Sequence, residues 1–239
     1  MRLINLESHL FSSKELSITE IQVQQYISVF LPLKLYPQVF NETFFDGTLK
    51  KQFMFANPLE GKQIMFQQNK ISIITSFGED DIDYAKLETE HNNTIQFLKL
   101  ILSSFGSVKS DVNFNRLSYV IRYANIRNYE QEIEDLRKNT ISTLKWVNPE
   151  NKPSDFELNL GFKDDVDGEP INNIIKLTQG YYQSYSSFNQ QAQRCLIKLV
   201  DINTLPDNIQ DRFSPEDACE TIIKLKNKAH QTALSIENH

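Results

Sequence analysis

Cysteine is scarce in this chain: Cys195 and Cys219 stand far apart in 239 residues, with no Cys-x-x-Cys pair. That spacing signals neither a zinc knuckle nor a disulfide framework, so two reduced, buried thiols are expected. Long apolar runs are missing too. No stretch approaches the roughly 18 uninterrupted apolar residues of a membrane-spanning helix. The opening MRLINLESHLFSSKE carries Glu7 and lacks the apolar core and cleavage site of a secretory signal. No membrane association and a cytoplasmic location are therefore expected, which makes the sequons at Asn41 and Asn92 chance matches. A basic surplus is also absent. With 25 Lys and Arg against 31 Asp and Glu the net charge is −6, whereas a phosphate-backbone binder draws its affinity from clustered cations. Nucleic acid is thus disfavoured as a partner.

Local catalytic signatures are missing as well. The four histidines, His9, His91, His230 and His239, form no HxH or HExxH arrangement, so a metal site would have to be assembled from distant segments. No GxSxG elbow is present, and neither cysteine has a nucleophile's local signature. Glu60-Gly61-Lys62 has no glycine-rich approach and reads as a turn. Asp165-Val166-Asp167-Gly168 echoes a calcium loop, but Lys163 and Ile174 fall where the first and the bidentate ligands belong. A solvated hairpin is expected there. The sequence assigns no catalytic residue, no metal and no cofactor, and leans away from an enzyme.

What the chain does hold is strands and aromatics: 16 Phe and 9 Tyr against 7 Gly. Residues 115–126 (NRLSYVIRYANI) alternate cleanly. Leu117, Tyr119, Ile121 and Tyr123 fall on one face and Arg116, Ser118, Val120, Arg122 and Ala124 on the other, the signature of a half-buried strand. Before it, after a short leader, residues 18–31 read as a first strand through Ile21, Val23, Ile27 and Val29, closed by Pro32 and Pro37. Strands follow through Val39 to Phe45, over 50–56, in KQIMFQ and in KISIITSF, with turns at Asp46-Gly47, 57–61 and Gln68-Asn69. This is an antiparallel meander. Glu79, Asp80 and Asp81 suit a helix N-terminus, and Tyr84, Leu87, His91, Ile95, Leu98, Leu102 and Phe105 form the stripe of a long helix ending at Gly106.

After the central strand, a helix is expected from about Tyr129, with Leu144 on its apolar side and Trp146 and Pro149 at its end. The alternation of Phe156, Leu158, Leu160 and Phe162 with polar residues predicts an amphipathic strand. Further strands are expected from Ile174 to Thr178 and across Tyr181, Tyr182 and Tyr185. RCLIKLVDI, apolar on both faces, reads as a central strand. Ser214, Pro215, Glu216 and Asp217 start a final helix burying Ala218, Ile222, Leu225, Ala229, Ala233 and Ile236. The fold class predicted is α+β: two similar halves, 1–110 and 111–239, each an antiparallel meander of about four strands followed by a long amphipathic helix. The similarity of pattern suggests a divergent duplication. The halves can share one compact domain with one continuous sheet.

Four groups of residues are binding candidates. His91 falls on an apolar helix stripe, where an ionisable ring needs a partner; a hydrogen-bonded core or interface histidine is the simpler reading beside a catalytic base. Arg116 and Arg122, six residues apart on one strand face, can present an anion-binding surface or form ion pairs with the acidic loops. Tyr181, Tyr182, Tyr185 and Phe188, interleaved with Gln183, Ser184 and Gln190, suit either an adaptable contact surface or a strand whose alternate rings face the core. Tyr123 and Asn125 join the candidates through a resemblance.

The segments RLSYVIRYANI at 116–126, LVDINTL at 199–205 and the Ser-initiated helix ending in KNKAHQTALSI are similar to those of a sporadically distributed bacterial family of uncharacterised proteins. The likeness covers about half the chain, and the family's Pro-rich N-terminal opening is absent here. By position it marks Arg116, Arg122, Tyr123 and Asn125, for which the family supplies no established catalytic role. Each half also resembles the SecB-type export chaperone fold in its strand-then-helix order, a likeness of architecture alone. Together these imply a non-catalytic protein-binding or chaperone-like accessory factor in a bacterial stress or defence system, with a protein partner or a homo-oligomer. The alternative is a ligand-binding or enzymatic domain whose pocket lies between sheet and helices, with Arg116, Arg122 or His91 facing inward.

Overall fold

A computed structural model describes residues 2–44, 46–78, 84–108, 112–126, 128–141, 155–182, 192–207 and 209–237. The elements run β1 (Arg2–Phe11), α1 (Glu20–Phe30), a 3-10 turn (Leu31–Leu33), β2 (Tyr36–Thr43), β3 (Leu49–Asn57), β4 (Lys62–Phe66), β5 (Lys70–Ser76), α2 (Tyr84–Val108) and β6 (Arg116–Asn125). There follow α3 (Tyr129–Ile141), β7 (Glu157–Val166), β8 (Glu169–Tyr182), β9 (Gln193–Thr204) and α4 (Pro215–Glu237). The fold is α+β, as expected. The nine strands form one continuous sheet in the order β2-β3-β4-β5-β1-β6-β9-β8-β7, and every pairing is antiparallel.

The sheet is built outward from β1 and β6, which pair at its centre. Each is flanked by the last strand of a meander: β5 closes β2 to β5 beside β1, and β9 closes β7 to β9 beside β6. In both halves a strand and a helix precede the meander and a long helix follows it. The helices reach the sheet from one side. There Leu6, Leu10, Leu117, Tyr119, Ile121, Val200 and Ile202 of the central strands meet Leu98 and Leu102 of α2 and Ile222 and Leu225 of α4. At one end, Tyr26 and Phe30 of α1 lie among Phe55, Phe66 and Phe105, with Phe30 and Phe55 edge to face at 4.9 Å. Such rings bury large areas and fix the packing angle by their edge-to-face preference.

Several expectations are corrected. Residues 2–11 are not a leader but β1, hydrogen-bonded on both sides. Residues 20–30 are not a strand but α1. Thr19 and Gln22 close a capping box at its start, and the residues it buries, Val23, Tyr26 and Phe30, recur at helical spacing while Ile21 stays 75% exposed. Pro37 does not end a strand; it sits inside β2. The Phe44 N–H donates to Thr48 O, so even-numbered residues of β2 bond inward and the N–H that Pro37 lacks would have pointed off the sheet edge. The strand expected at 174–178 continues without a break through Gly180, opposite Cys195, to Tyr181 and Tyr182 as one strand, β8; the rest of the strand expected to Tyr185 lies outside the described residues. α2 passes Gly106 and ends at Val108. The second face of β6 is partly buried as well: Ser118 and Val120 are withdrawn from solvent, while Arg116 and Arg122 on the same face stay partly exposed.

Other expectations hold. The Asp167-Gly168 hairpin turn has positive φ at both residues, 52° and 83°, as a two-residue hairpin loop requires. Ser214 caps α4 reciprocally with Asp217. The expected acidic cap at Glu79, Asp80 and Asp81, the strand end at Phe45, and the α3 end at Leu144, Trp146 and Pro149 lie outside the described residues. Among the described residues no helix is long and apolar enough to cross a membrane.

Candidate functional site

Because side chains alternate along a strand, turning Leu6, Ser8 and Leu10 toward the helices turns Glu7, His9 and Phe11 the other way. The registers His9 to Ser72, His9 to Ser118, Phe11 to Arg116 and Ser118 to Asn203 then align a polar row across β5, β1, β6 and β9 on the face away from the helices. Its left half centres on His9. His9 Nε2 lies 3.0 Å from Glu7 Oε2 and Nδ1 lies 3.0 Å from Ser72 Oγ, whose hydroxyl also reaches Gln67 Oε1 at 3.2 Å. Its right half centres on Asp201, which accepts from Ser118 Oγ at 2.7 Å and from the Asn203 amide at 3.1 Å. The Asn203 oxygen in turn accepts from Arg116 and from Asn172, each at 3.3 Å.

Both sequence-predicted arginines join this row. Arg122 Nη2 stands 3.6 Å from Glu7 Oε1 with its side chain 40% exposed. The Arg116 guanidinium lies 4.8 Å from the ring centroid of Phe11, whose ring also has Lys70 Nζ at 5.9 Å. The ion pair that Arg122 makes is thus with a carboxylate on the adjacent strand. Burial raises the Glu7 carboxyl, but the His9 hydrogen bond and the charges of His9, Arg122 and Lys70 outweigh it and hold Glu7 below the usual carboxylate range.

Ser72, His9 and Glu7 have the order of a hydrolytic triad, yet Ser72 is 2% exposed and its hydroxyl is already shared with Gln67. A substrate carbonyl has no approach to that oxygen. What the row can do is hold two planar cations and an aromatic ring at fixed spacing over a satisfied polar floor, which suits recognition of carboxylates and backbone carbonyls.

The remaining candidates lie elsewhere. His91 is fully buried under α2, with Nδ1 2.6 Å from the Tyr119 hydroxyl and its ring 5.2 Å from that of His230. Tyr123 is fully buried on the helix side, 6.0 Å from the Lys198 ammonium. Asn125 donates to Glu132 at 2.6 Å, and Lys198, 2% exposed, pairs with both Glu132 and Glu237. Tyr181 is 63% exposed and its hydroxyl accepts from Arg194, while Tyr182 projects to the opposite face, with Arg2 over its ring at 5.2 Å. Tyr185 and Phe188, with Gln183, Ser184 and Gln190, lie outside the described residues, as does His239. Sequence reasoning missed Glu7, His9, Ser72, Asp201 and Asn203.

A separate open groove of about 1030 Å³ runs between the β3-β4 turn and α2, lined by Lys62, Thr75, Phe77, Glu90, Thr94 and Phe97 among others. Arg116, Arg122 and His91 do not line it. Among the described residues no cluster of three or more His, Cys, Asp and Glu could hold a metal ion. No protein-family model matches the chain, and neither a curated protein nor a solved structure matches it.

Proposed function

We propose that this chain is a non-catalytic binding protein that docks another protein on the sheet face opposite its helices. One observation carries the reading: on that face Arg122, 40% exposed, and Phe11 between Arg116 and Lys70 rise from a row whose other polar groups already satisfy one another. A satisfied floor gives rigidity without competing for the ligand, and arginine and aromatic side chains are the residues that anchor protein interfaces. With the resemblance to a bacterial family and to SecB-type architecture, the role proposed is a chaperone-like accessory factor in a stress or defence system, taking a client segment in extended form.

The test is affinity purification of the tagged chain, quantitative mass spectrometry, and then titration of the purified partner against Arg122→Ala and Arg116→Ala proteins of unchanged circular dichroism. Losses on the order of tenfold or more are expected for an interface anchor. Affinity untouched by both substitutions sinks the reading.

A second reading rests on the groove beside α2. The hydroxyls of Thr75 and Thr94, both buried, have no hydrogen-bond partner among the described residues, and unsatisfied buried donors favour a small polar ligand. Native mass spectrometry showing a retained small molecule, with no protein partner recovered, would decide for it.

A further inference from the structure

The two outer strands of the sheet are guarded unequally. β2 carries Pro37 with its missing N–H turned outward, one of the usual devices against edge pairing. β7, at the other border, is ten residues long without proline, and among the described residues β8 is its one strand partner. The Gln179 N–H donates to Phe156 O at 3.0 Å in the register that pairs Glu157 with Thr178. Even-numbered residues of β7 therefore bond β8, and Glu157, Asn159, Gly161 and Lys163 turn their N–H and C=O groups off the edge. On the helix side the strand presents Leu158, Leu160 and Phe162, with Leu160 38% and Phe162 50% exposed.

We propose that β7 pairs antiparallel with β7 of a second copy, about a two-fold axis through Leu160, so that two nine-stranded sheets become one. The occupant follows from charge and parity. Only outward-bonding residues can exchange hydrogen bonds across the new edge, so odd-numbered residues must face odd-numbered residues. Centred on Leu160, the ladder sets Asn159 against Gly161 and Lys163 against Glu157, twice by symmetry. On the helix side it sets Leu158 against Phe162 and Leu160 against its own copy, covering the exposed apolar row. Centring on Gly161 would oppose Glu157 to Asp165, and centring on Phe162 would oppose Leu160 to Asp164, both inside β7, whereas centring on Leu160 meets pairs of that kind, Asp164 with Phe156 and Asp165 with Asp155, only beyond the Glu157 end of the strand. A lysine on a bare edge deters an arbitrary strand, but opposite Glu157 it selects this one. Glu157 already holds Lys176 at 2.6 Å on that face, so in the dimer it sits between two ammonium groups.

This interface is separate from the Arg122 face, so the fate of the partner titration does not decide it. Sedimentation velocity of the full chain from nanomolar to submillimolar concentration should give a species of twice the 27.8 kDa chain mass. Lys163→Glu or Glu157→Lys alone creates like-charge pairs at both symmetry positions and should weaken the dimer on the order of tenfold. The double variant Glu157→Lys/Lys163→Glu restores opposite charges and should recover it. Gly161→Pro, which removes an outward N–H and leaves the β8 ladder intact, should give a monomer of unchanged circular dichroism. A monomeric native chain, a dimer indifferent to the single reversals, or a double variant that fails to recover would each overturn the proposal.

Discussion

His91 is held neutral by its surroundings. Burial is the chief cause, with the charges of His230 and Lys226 adding to it, and its pKa falls from 6.5 to about 3. An unfolded chain takes up a proton near 6.5, so the stability from this residue is complete above that pH and is lost progressively as pH falls toward about 3. The slope is up to ~1.4 kcal/mol per pH unit for one proton. Burial also lowers His230, and Glu7 is held below its ordinary 4.5, so its own loss comes at lower pH. Between pH 6.5 and 4.5 the native slope should therefore exceed that of His91→Gln by nearly one proton. Urea unfolding at stepped pH reads this directly, and coincident slopes for the two proteins would show that His91 does not charge on unfolding. At neutral pH the same substitution should cost about 1–2 kcal/mol through the lost contact with Tyr119.

At the scale of the element, Gly61 is the turn residue most tightly constrained. Its φ is +65°, and a Cβ there would come 2.2 Å from the Ser76 carbonyl oxygen, while its own carbonyl accepts the Ser76 N–H at 2.8 Å. Gly47, with φ +80°, has open space around it. Gly47→Ala should cost about 1 kcal/mol for the positive φ alone, and Gly61→Ala about 2–3 kcal/mol because the β3-β4 turn must also move off β5. Equal losses in denaturant unfolding would mean that the close approach constrains nothing. Several elements were legible in the sequence: β6 and β7 from their alternation, α2 and α4 from their apolar stripes, β2 to β5 from the turns that bound them, and β9 from a run apolar on both faces. α1 was not, because Ile21, Val23, Ile27 and Val29 alternate as well as they spiral; the deciding signal was Thr19 three residues before Gln22, a capping box. β1 was lost to the reading of residues 2–11 as a leader, and Glu7 and His9 went with it. The rest of the polar row was beyond reach for another reason. Arg116 and Arg122 declare themselves on one strand, but Ser72 meets His9 and Asp201 meets Ser118 only through long-range register, which no local pattern encodes.

For the whole molecule, the question is whether residues 1–110 and 111–239 are two folding units or one. The seam between them is the interior of the sheet: β1 belongs to the first half and β6 to the second, and they pair along almost their full lengths. Above that seam α2 packs on α4, and one apolar cluster runs from Leu3 to Ala233. Separating the halves would strip β1 and β6 of one neighbour each and expose Leu6, Leu117 and Ile121 together. Residues buried across a seam of this kind couple the halves by more than either can lose and remain folded. Equilibrium unfolding in urea should therefore show a single transition, with far-ultraviolet dichroism and the near-ultraviolet tyrosine signal coinciding at every denaturant concentration. The isolated fragment 1–110 should lack a cooperative transition, because β1 then faces water where β6 should be. Two separable transitions, or a fragment that unfolds cooperatively alone, would make the nine-stranded sheet a docked pair of domains instead of one folding unit.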